Sequence, residues 1–272
     1  RARSDAPEPY GGPRLVAPKP GRSAEGPRRM IRIENLYKRF GEVAAVDGVS
    51  FSAADGAVTG LLGPNGAGKT TTLRMLYTLM RPDAGRLMVD DVDALADPQG
   101  ARLRLGVLPD QSGLYPRLTA REHIHYFGEL QGITGADLRH RTDHLLKMLD
   151  MTAIADRRAA GYSHGERTKT ALARAIVHNP KNVLLDEPTN GLDVMSTRAV
   201  RDIIRRLKAE GHTVLFSSHV MQEVSALCDT IVVIARGKIV ASGSPDDLRA
   251  QTGHQNLEDA FVALSGVEVV AS

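Results

Sequence analysis

Apolar and polar residues alternate where the folded part of the chain begins. Ile31 and Ile33, then Val49 and Phe51, show the period of two expected of strands. Ala57–Leu62 is a short apolar strand that runs into a glycine-rich turn, and Lys69–Met80 after it is helix-forming. Gly85–Val89 predicts a further strand. Over 119–150 the pattern turns helical: Thr119 with Glu122 makes a capping-box start, and Leu145, Leu146 and Leu149 recur at helical spacing. Val183–Leu185 and Thr213–Phe216 are buried-type strands separated by a helix around Arg198–Ala209. Ile231–Ile234, the turn Arg236-Gly237 and Lys238–Ala241 predict a hairpin. Strands alternating with helices predict an α/β fold with a mostly parallel sheet. The helical block near 111–162 interrupts that alternation and predicts an inserted subdomain. No internal repeat is visible.

Residues 1–29 lack this patterning. They hold six of the fourteen prolines, and their seven basic groups face three acids. The whole chain is at +3, so a tail at +4 leaves residues 30–272 at −1. The basic character therefore belongs to a segment expected to be disordered and dispensable, with Met30 opening the folded domain at 30–245 and a short helix-like tail at 246–272. A near-neutral domain with 4% aromatics and no Trp argues against a nucleic-acid partner. The single cysteine, Cys228, excludes an intrachain disulfide, and its neighbours suggest a buried small apolar group rather than a reactive thiol. No apolar run approaches the roughly 18 residues that span a bilayer. With no apolar signal segment at the N-terminus either, a cytoplasmic protein is expected.

The chemistry concentrates in a few short stretches. Gly63-Pro64-Asn65-Gly66-Ala67-Gly68-Lys69-Thr70 fits G-x-x-x-x-G-K-[ST], and it follows a predicted strand and opens a predicted helix. Glycines let backbone N–H groups turn inward around phosphates, and the helix start adds positive potential. Lys69 is expected on the β- and γ-phosphates of ATP and the Thr70 hydroxyl on Mg²⁺, with Thr71 completing the phosphate-binding stretch. Val183–Glu187 is an apolar strand ending in two acids. Neighbours on a strand face opposite ways, so Asp186 is expected to hold Mg²⁺ and Glu187 to act as general base. Ser163 and Glu166 form a capping box at the start of a helix running to about His178, a start that also suits an anion.

At these residues the chain resembles an ABC transporter ATPase subunit, from about Met30 to Gly266. Gly63–Thr70 matches the Walker A loop, Ser163–Glu166 the signature, Val183–Glu187 Walker B, and Gly191-Leu192-Asp193 the D-loop. The resemblance implies a P-loop NTPase (RecA-like) core, with an antiparallel β subdomain and the helical subdomain inserted at about 111–162. It implies Mg²⁺-dependent ATP hydrolysis in a dimer, with Ser163, Gly165 and Asp193 reaching nucleotide held by the other copy. It also puts His219 at the switch-histidine position, Phe40 where a ring stacks on adenine, and Gln111 in the Q-loop, on nucleotide and metal. Phe40 has a second reading, as a core residue. Two departures stand out: His164 and Glu166 replace a glycine and a glutamine of the signature, and Asp110 occupies the Q-loop glutamine's usual place with Gln111 next to it. The stretches Tyr162–Arg167, Leu108–Tyr115 and Asn256–Phe261 resemble an exporter-like branch that includes sodium-efflux subunits. That implies an integral membrane permease as partner, with drugs, lipids and peptides as alternative cargoes to sodium.

Other functions fit less well. Soluble ABC ATPases of translation, repair or chromosome organisation usually carry two cassettes or a long coiled-coil insertion. A P-loop GTPase would need an Asn-Lys-x-Asp motif, which is absent. The pairs His123/His125 and His140/His144 raise a metal site, but the latter lacks the carboxylate of a zincin.

Overall fold

The computed structural model describes residues 29–111, 113–254 and 256–265. The segment expected to be a disordered tail lies outside these residues except for Arg29, where the first strand begins. The elements run β1 (Arg29–Phe40), β2 (Val43–Ala54), β3 (Val58–Leu62), α1 (Lys69–Leu76), β4 (Ala84–Val89), β5 (Val92–Asp93), α2 (Pro98–Leu103) and β6 (Leu105–Leu108). The helical subdomain follows with α3 (Ala120–Leu130) and α4 (Gly135–Met148). Then come α5 (His164–Ile176), β7 (Asn182–Asp186), α6 (Val194–Ala209), β8 (Thr213–Ser218), α7 (Met221–Leu227), β9 (Thr230–Ala235), β10 (Lys238–Gly243), α8 (Pro245–Thr252) and α9 (Leu257–Ser265).

Two sheets result. One has the order β10-β9-β3-β8-β7-β6, parallel except for the β9–β10 hairpin. The other, β2-β1-β4-β5, is antiparallel. The apolar strands are buried on both faces, and their alternation sorts residues between two cores. Val183, Leu185, Val214, Phe216, Ile231 and Val233 face the core shared with the helical subdomain. Leu184, Leu215, Val232 and Ile234 face the core shared with α1 and the antiparallel sheet. Gly60 sits on the first face because α7 packs onto it: a Cβ there would meet Cys228 Sγ at 2.6 Å.

Local chemistry ends the elements. Helix α1 stops at Leu76, four residues short of the Met80 expected from composition, because Thr78 takes φ 61° and the Arg74 carbonyl accepts from both Leu79 and Met80. The Thr119–Glu122 capping box forms as expected at the start of α3. Tyr162 ties the helical subdomain to α5, its hydroxyl accepting from Ala120 N at 3.0 Å and donating to the Arg157 carbonyl at 2.8 Å. Among the described residues no helix is long and apolar enough to cross a membrane.

Candidate active site

The loop Gly63–Gly68 joins β3 to α1 at the carboxyl ends of the parallel strands, the usual crevice of an open α/β sheet. Close approach builds it. A Cβ on Gly63 would lie 2.3 Å from the Ile234 carbonyl, and one on Gly68 2.4 Å from that of Ala45. Gly68 also has φ 106°, where side chains are strained. The turn closes with Ala67 N donating to the Pro64 carbonyl at 3.2 Å. Helix α1 then starts with no side-chain cap and no acid in its first turn, which leaves its N-terminal dipole available to an anion. The adjoining cavity, of about 280 Å³, is lined by Ala45, Asn65, Gly66, Gly68, Lys69, Thr70, Thr71, Asp110, Glu187 and Asn190.

Lys69 is buried, and its ammonium donates to the carbonyls of Gly63 at 2.8 Å and Pro64 at 3.1 Å. It also lies 3.1 Å from Glu187 Oε1, while Glu187 Oε2 is 2.8 Å from His219 Nδ1. One carboxylate thus bridges the phosphate-loop lysine and a histidine beyond the end of β8. Glu187 reaches both because it leaves the strand sharply, with φ 49°, its N–H donating to Ser217 Oγ at 2.9 Å.

Asp186 is different. It is 2% exposed at the end of β7, and its Oδ1 accepts from Thr70 Oγ1 at 3.0 Å and Ser217 Oγ at 2.7 Å. Burial holds this carboxyl above the usual range, against the lowering effect of those two hydrogen bonds. Its Oδ2 is buried with no hydrogen-bond partner. An unpartnered carboxylate oxygen beside a phosphate-loop hydroxyl suits a hard, oxygen-seeking dication such as Mg²⁺. Among the described residues no group of three or more His, Cys, Asp or Glu could hold a metal, so further ligands would be phosphate oxygens and water.

Residues 46–190, more than half the chain, match the family model described as ABC transporter. The chain belongs to the ABC transporter family. It is 41% identical over 239 residues to the ABC transporter ATP-binding protein NatA of Bacillus subtilis (strain 168), covering 86% of this chain and 97% of that one. It is 40% identical over 223 residues to the Nod factor export ATP-binding protein I of Ralstonia nicotianae, covering 82% and 70% of the two chains. A solved ATP-binding subunit of an ABC transporter superposes with a TM-score of 0.79 at 27% identity, covering 86% of this chain and 99% of that one. The protein is an ATP-hydrolysing ABC cassette with a P-loop α/β fold.

The other residues that the ABC resemblance singles out divide into two groups. Phe40 ends β1 with 49% of its surface exposed and Lys38 Nζ 5.8 Å from its ring centroid, which overturns the core reading. Its hairpin continues into Ala45, which lines the phosphate cavity. Ser163, Gly165 and Asp193 do not line that cavity within the chain. Ser163 caps α5, accepting from Glu166 N at 3.2 Å while Glu166 Oε2 accepts from Ser163 N at 2.7 Å. Asp193 caps α6, accepting from Ser196 N at 2.9 Å and Ser196 Oγ at 2.8 Å. The two helix starts touch: His164 Nε2 is 3.0 Å from the Asn190 carbonyl, and a Cβ on Gly165 would meet Ser196 Oγ at 2.5 Å.

Gln111 departs from expectation. It is exposed and does not line the cavity, whereas Asp110 does, with Arg74 Nη2 3.2 Å from its Oδ2. The guanidinium on α1 draws the residue next to Gln111 towards the phosphate loop. Ser217 went unrecognised in the sequence, since only the register pairing it with Asp186 across β7 and β8 reveals its role. The metal reading of His123 falls away. Its Nε2 must accept from Tyr115 N at 2.9 Å, so Nδ1 carries the proton, 2.8 Å from the Thr119 carbonyl, and burial lowers its pKa. Cys228 is buried and its thiol pKa is pushed up by that burial, so it is an inert core thiol.

Proposed function

We propose that this chain is the motor of an export system, hydrolysing ATP between two copies of itself and passing the movement to a separate membrane permease. The observation that carries the catalytic part is Glu187, a single carboxylate within reach of both Lys69 and His219 at the mouth of the phosphate cavity. In this reading Lys69 moves from the loop carbonyls onto the β- and γ-phosphates. Glu187 takes a proton from the attacking water and His219 orients it. Thr70 and Asp186 would hold Mg²⁺, which supplies charge neutralisation on the phosphate oxygens. Phe40, exposed at its hairpin end, is free to stack on adenine. Glu187→Gln keeps size and hydrogen bonding but removes the base, so turnover should fall by about 10²–10⁴-fold with ATP binding retained. Turnover near wild type, or loss of binding, would sink the assignment.

The dimer reading rests on the separation of Ser163, Gly165 and Asp193 from the cavity of their own chain. Beside them Val194 and Met195 are each 70% exposed, an apolar surface suited to a second copy. Lys69→Ala and Ser163→Arg should each be inactive alone. Mixed together they should regain nucleotide trapping at one intact shared site, and no trapping above the single variants would refute sharing.

For the permease, the helical subdomain offers a groove of about 620 Å³ lined by Tyr115, Pro116, Arg117, Leu118 and Tyr126. Single cysteines placed there, after replacement of Cys228, should crosslink an integral membrane protein. Capture of ribosomal or DNA-associated proteins alone would overturn the transport reading. Export is supported by the relative named for Nod factor export. Sodium is the leading cargo, on the resemblance of the signature region, and the reconstituted complex should move sodium when ATP is added. Movement of a drug, lipid or peptide instead would replace it.

A further inference from the structure

Behind the catalytic carboxylate lies a second one that the reaction does not use. Glu223, in the first turn of α7, is 4% exposed, and its Oε2 accepts from Thr189 Oγ1 at 2.5 Å and from Ser218 Oγ at 3.2 Å. Arg201 of α6 is the cation that faces it, with Nη2 3.7 Å from Oε1. The two hydroxyls come from opposite sides of the site. Thr189 lies two residues beyond Glu187, in the turn where Asn190 N donates to the Glu187 carbonyl at 3.1 Å. Ser218 immediately precedes His219, and its Oγ also accepts from Val220 N at 3.0 Å, which fixes the bend after β8.

We propose that Glu223 is the positioning residue that holds Glu187 and His219 in register for hydrolysis. The backbones of β7 and β8 are paired only as far as Asp186 and Ser217, so the two catalytic side chains project from segments beyond the ladder. Across that gap the Thr189–Glu223–Ser218 bridge joins the segments one step behind the Glu187–His219 contact. A buried carboxylate accepting from two hydroxyls makes charge-assisted bonds between segments that the strand ladder no longer joins. With 4% of its surface exposed, it is also shielded from replacement by water. Released from it, either loop could drift, and a shift of about 1 Å at the reacting centre can cost on the order of 10²-fold in rate.

The inference rests on Glu187 being the base, and its test separates the two. Glu223→Ala should lower kcat for ATP by about 100-fold with KM within about threefold, measured well below its melting temperature. Glu223→Gln keeps an oxygen that can accept from both hydroxyls and should restore kcat to within about threefold of wild type. A lowered melting temperature with kcat unchanged would mean a structural role only and overturn the proposal. So would equal loss in the Gln and Ala variants, since the hydroxyl bridge would then not be what matters. Should Glu223→Ala fail to fold, Thr189→Val removes one hydroxyl at similar volume, and its kcat should fall about tenfold with KM kept; no change would overturn the proposal. Glu187→Gln, run alongside, must lose turnover whatever Glu223 does, and a near-normal rate there would condemn the base assignment instead.

Discussion

Helices α1 and α5 both begin with small residues suited to anions, yet their first turns are built in opposite ways. Helix α1 opens at Gly68 in the left-handed region, with neither a capping side chain nor an acid. Helix α5 opens at Ser163 with a full capping box, and Glu166 puts a carboxylate in the first turn. The uncapped start leaves its donors open to a ligand, beside Lys69, Thr70 and Asp186 of the same chain. The capped start is complete as a helix end, and Ser163 can still donate its hydroxyl proton while accepting from Glu166. In the proposed shared site, the unsatisfied helix start would be the half that binds first, and the satisfied one the half that adds contacts when a second copy brings nucleotide to it.

The largest effect should come from breaking the uncapped half. Lys69→Ala removes the buried ammonium and should abolish hydrolysis and weaken ATP binding by more than about 100-fold, since a buried charge-assisted contact to phosphate is lost. Titration with a fluorescent ATP analogue would show it, and near-normal affinity would break the comparison. The two glycines come next. Gly68→Ala forces a Cβ to within 2.4 Å of the Ala45 carbonyl at φ 106°, and backbone cannot step aside. Gly165→Ala meets the Ser196 side chain, its hydroxyl at 2.5 Å and its Cβ at 3.0 Å, and no backbone; the hydroxyl can rotate and the Cβ has to give by a few tenths of an ångström. The first should lose nucleotide binding and cost more than about 1 kcal/mol of stability. The second should bind ATP normally while losing hydrolysis. Equal damage to binding in both would mean that α5 contacts nucleotide within its own chain.

Asp186→Asn separates stability from function on the uncapped side. Burial raises the Asp186 pKa, so the folded chain keeps a proton that the unfolded chain releases. Between the ordinary carboxylate range and the raised value, stability falls as pH rises, and above that window the full cost is present. The Asn variant should therefore melt higher than wild type at neutral pH in Mg²⁺-free buffer, with the difference shrinking as pH falls, while hydrolysis is lost. A lower melting temperature at neutral pH would refute this account. The smallest effect belongs to the capped half: Glu166→Ala should cost about 0.5–1 kcal/mol in denaturant unfolding, with ATP binding unchanged.

What could be read in the sequence followed how local each signal was. Gly63–Thr70 and the Thr119 and Ser163 capping boxes are contiguous patterns whose geometry is dictated within a few residues. Strand β6 escaped notice because Leu105–Leu108 is four residues with Gly106 inside it; that glycine is needed because a Cβ would meet the Ala175 carbonyl at 2.5 Å. Helix α7 escaped because Val220 gives it no capping side chain. The placement of Asp110 rather than Gln111 at the cavity goes with its contact to Arg74, 36 residues away, and that of Ser217 with strand register; spacing along the chain carries neither.

In the proposed mechanism the left-handed backbone of Glu187 sets the best fold and the best catalyst at odds. At φ 49° an ordinary side chain costs about 1 kcal/mol that glycine does not, and asparagine tolerates the region better than glutamate. Selection for a robust protein alone would pull this position away from an acid. A library randomised at 187 and sorted by heat resistance should enrich glycine or asparagine over glutamate, whereas one sorted by ATP turnover should return glutamate. Under the proposed mechanism, glutamate at 187 is a residue that this backbone suits less well than glycine or asparagine, and the reaction is what it would serve.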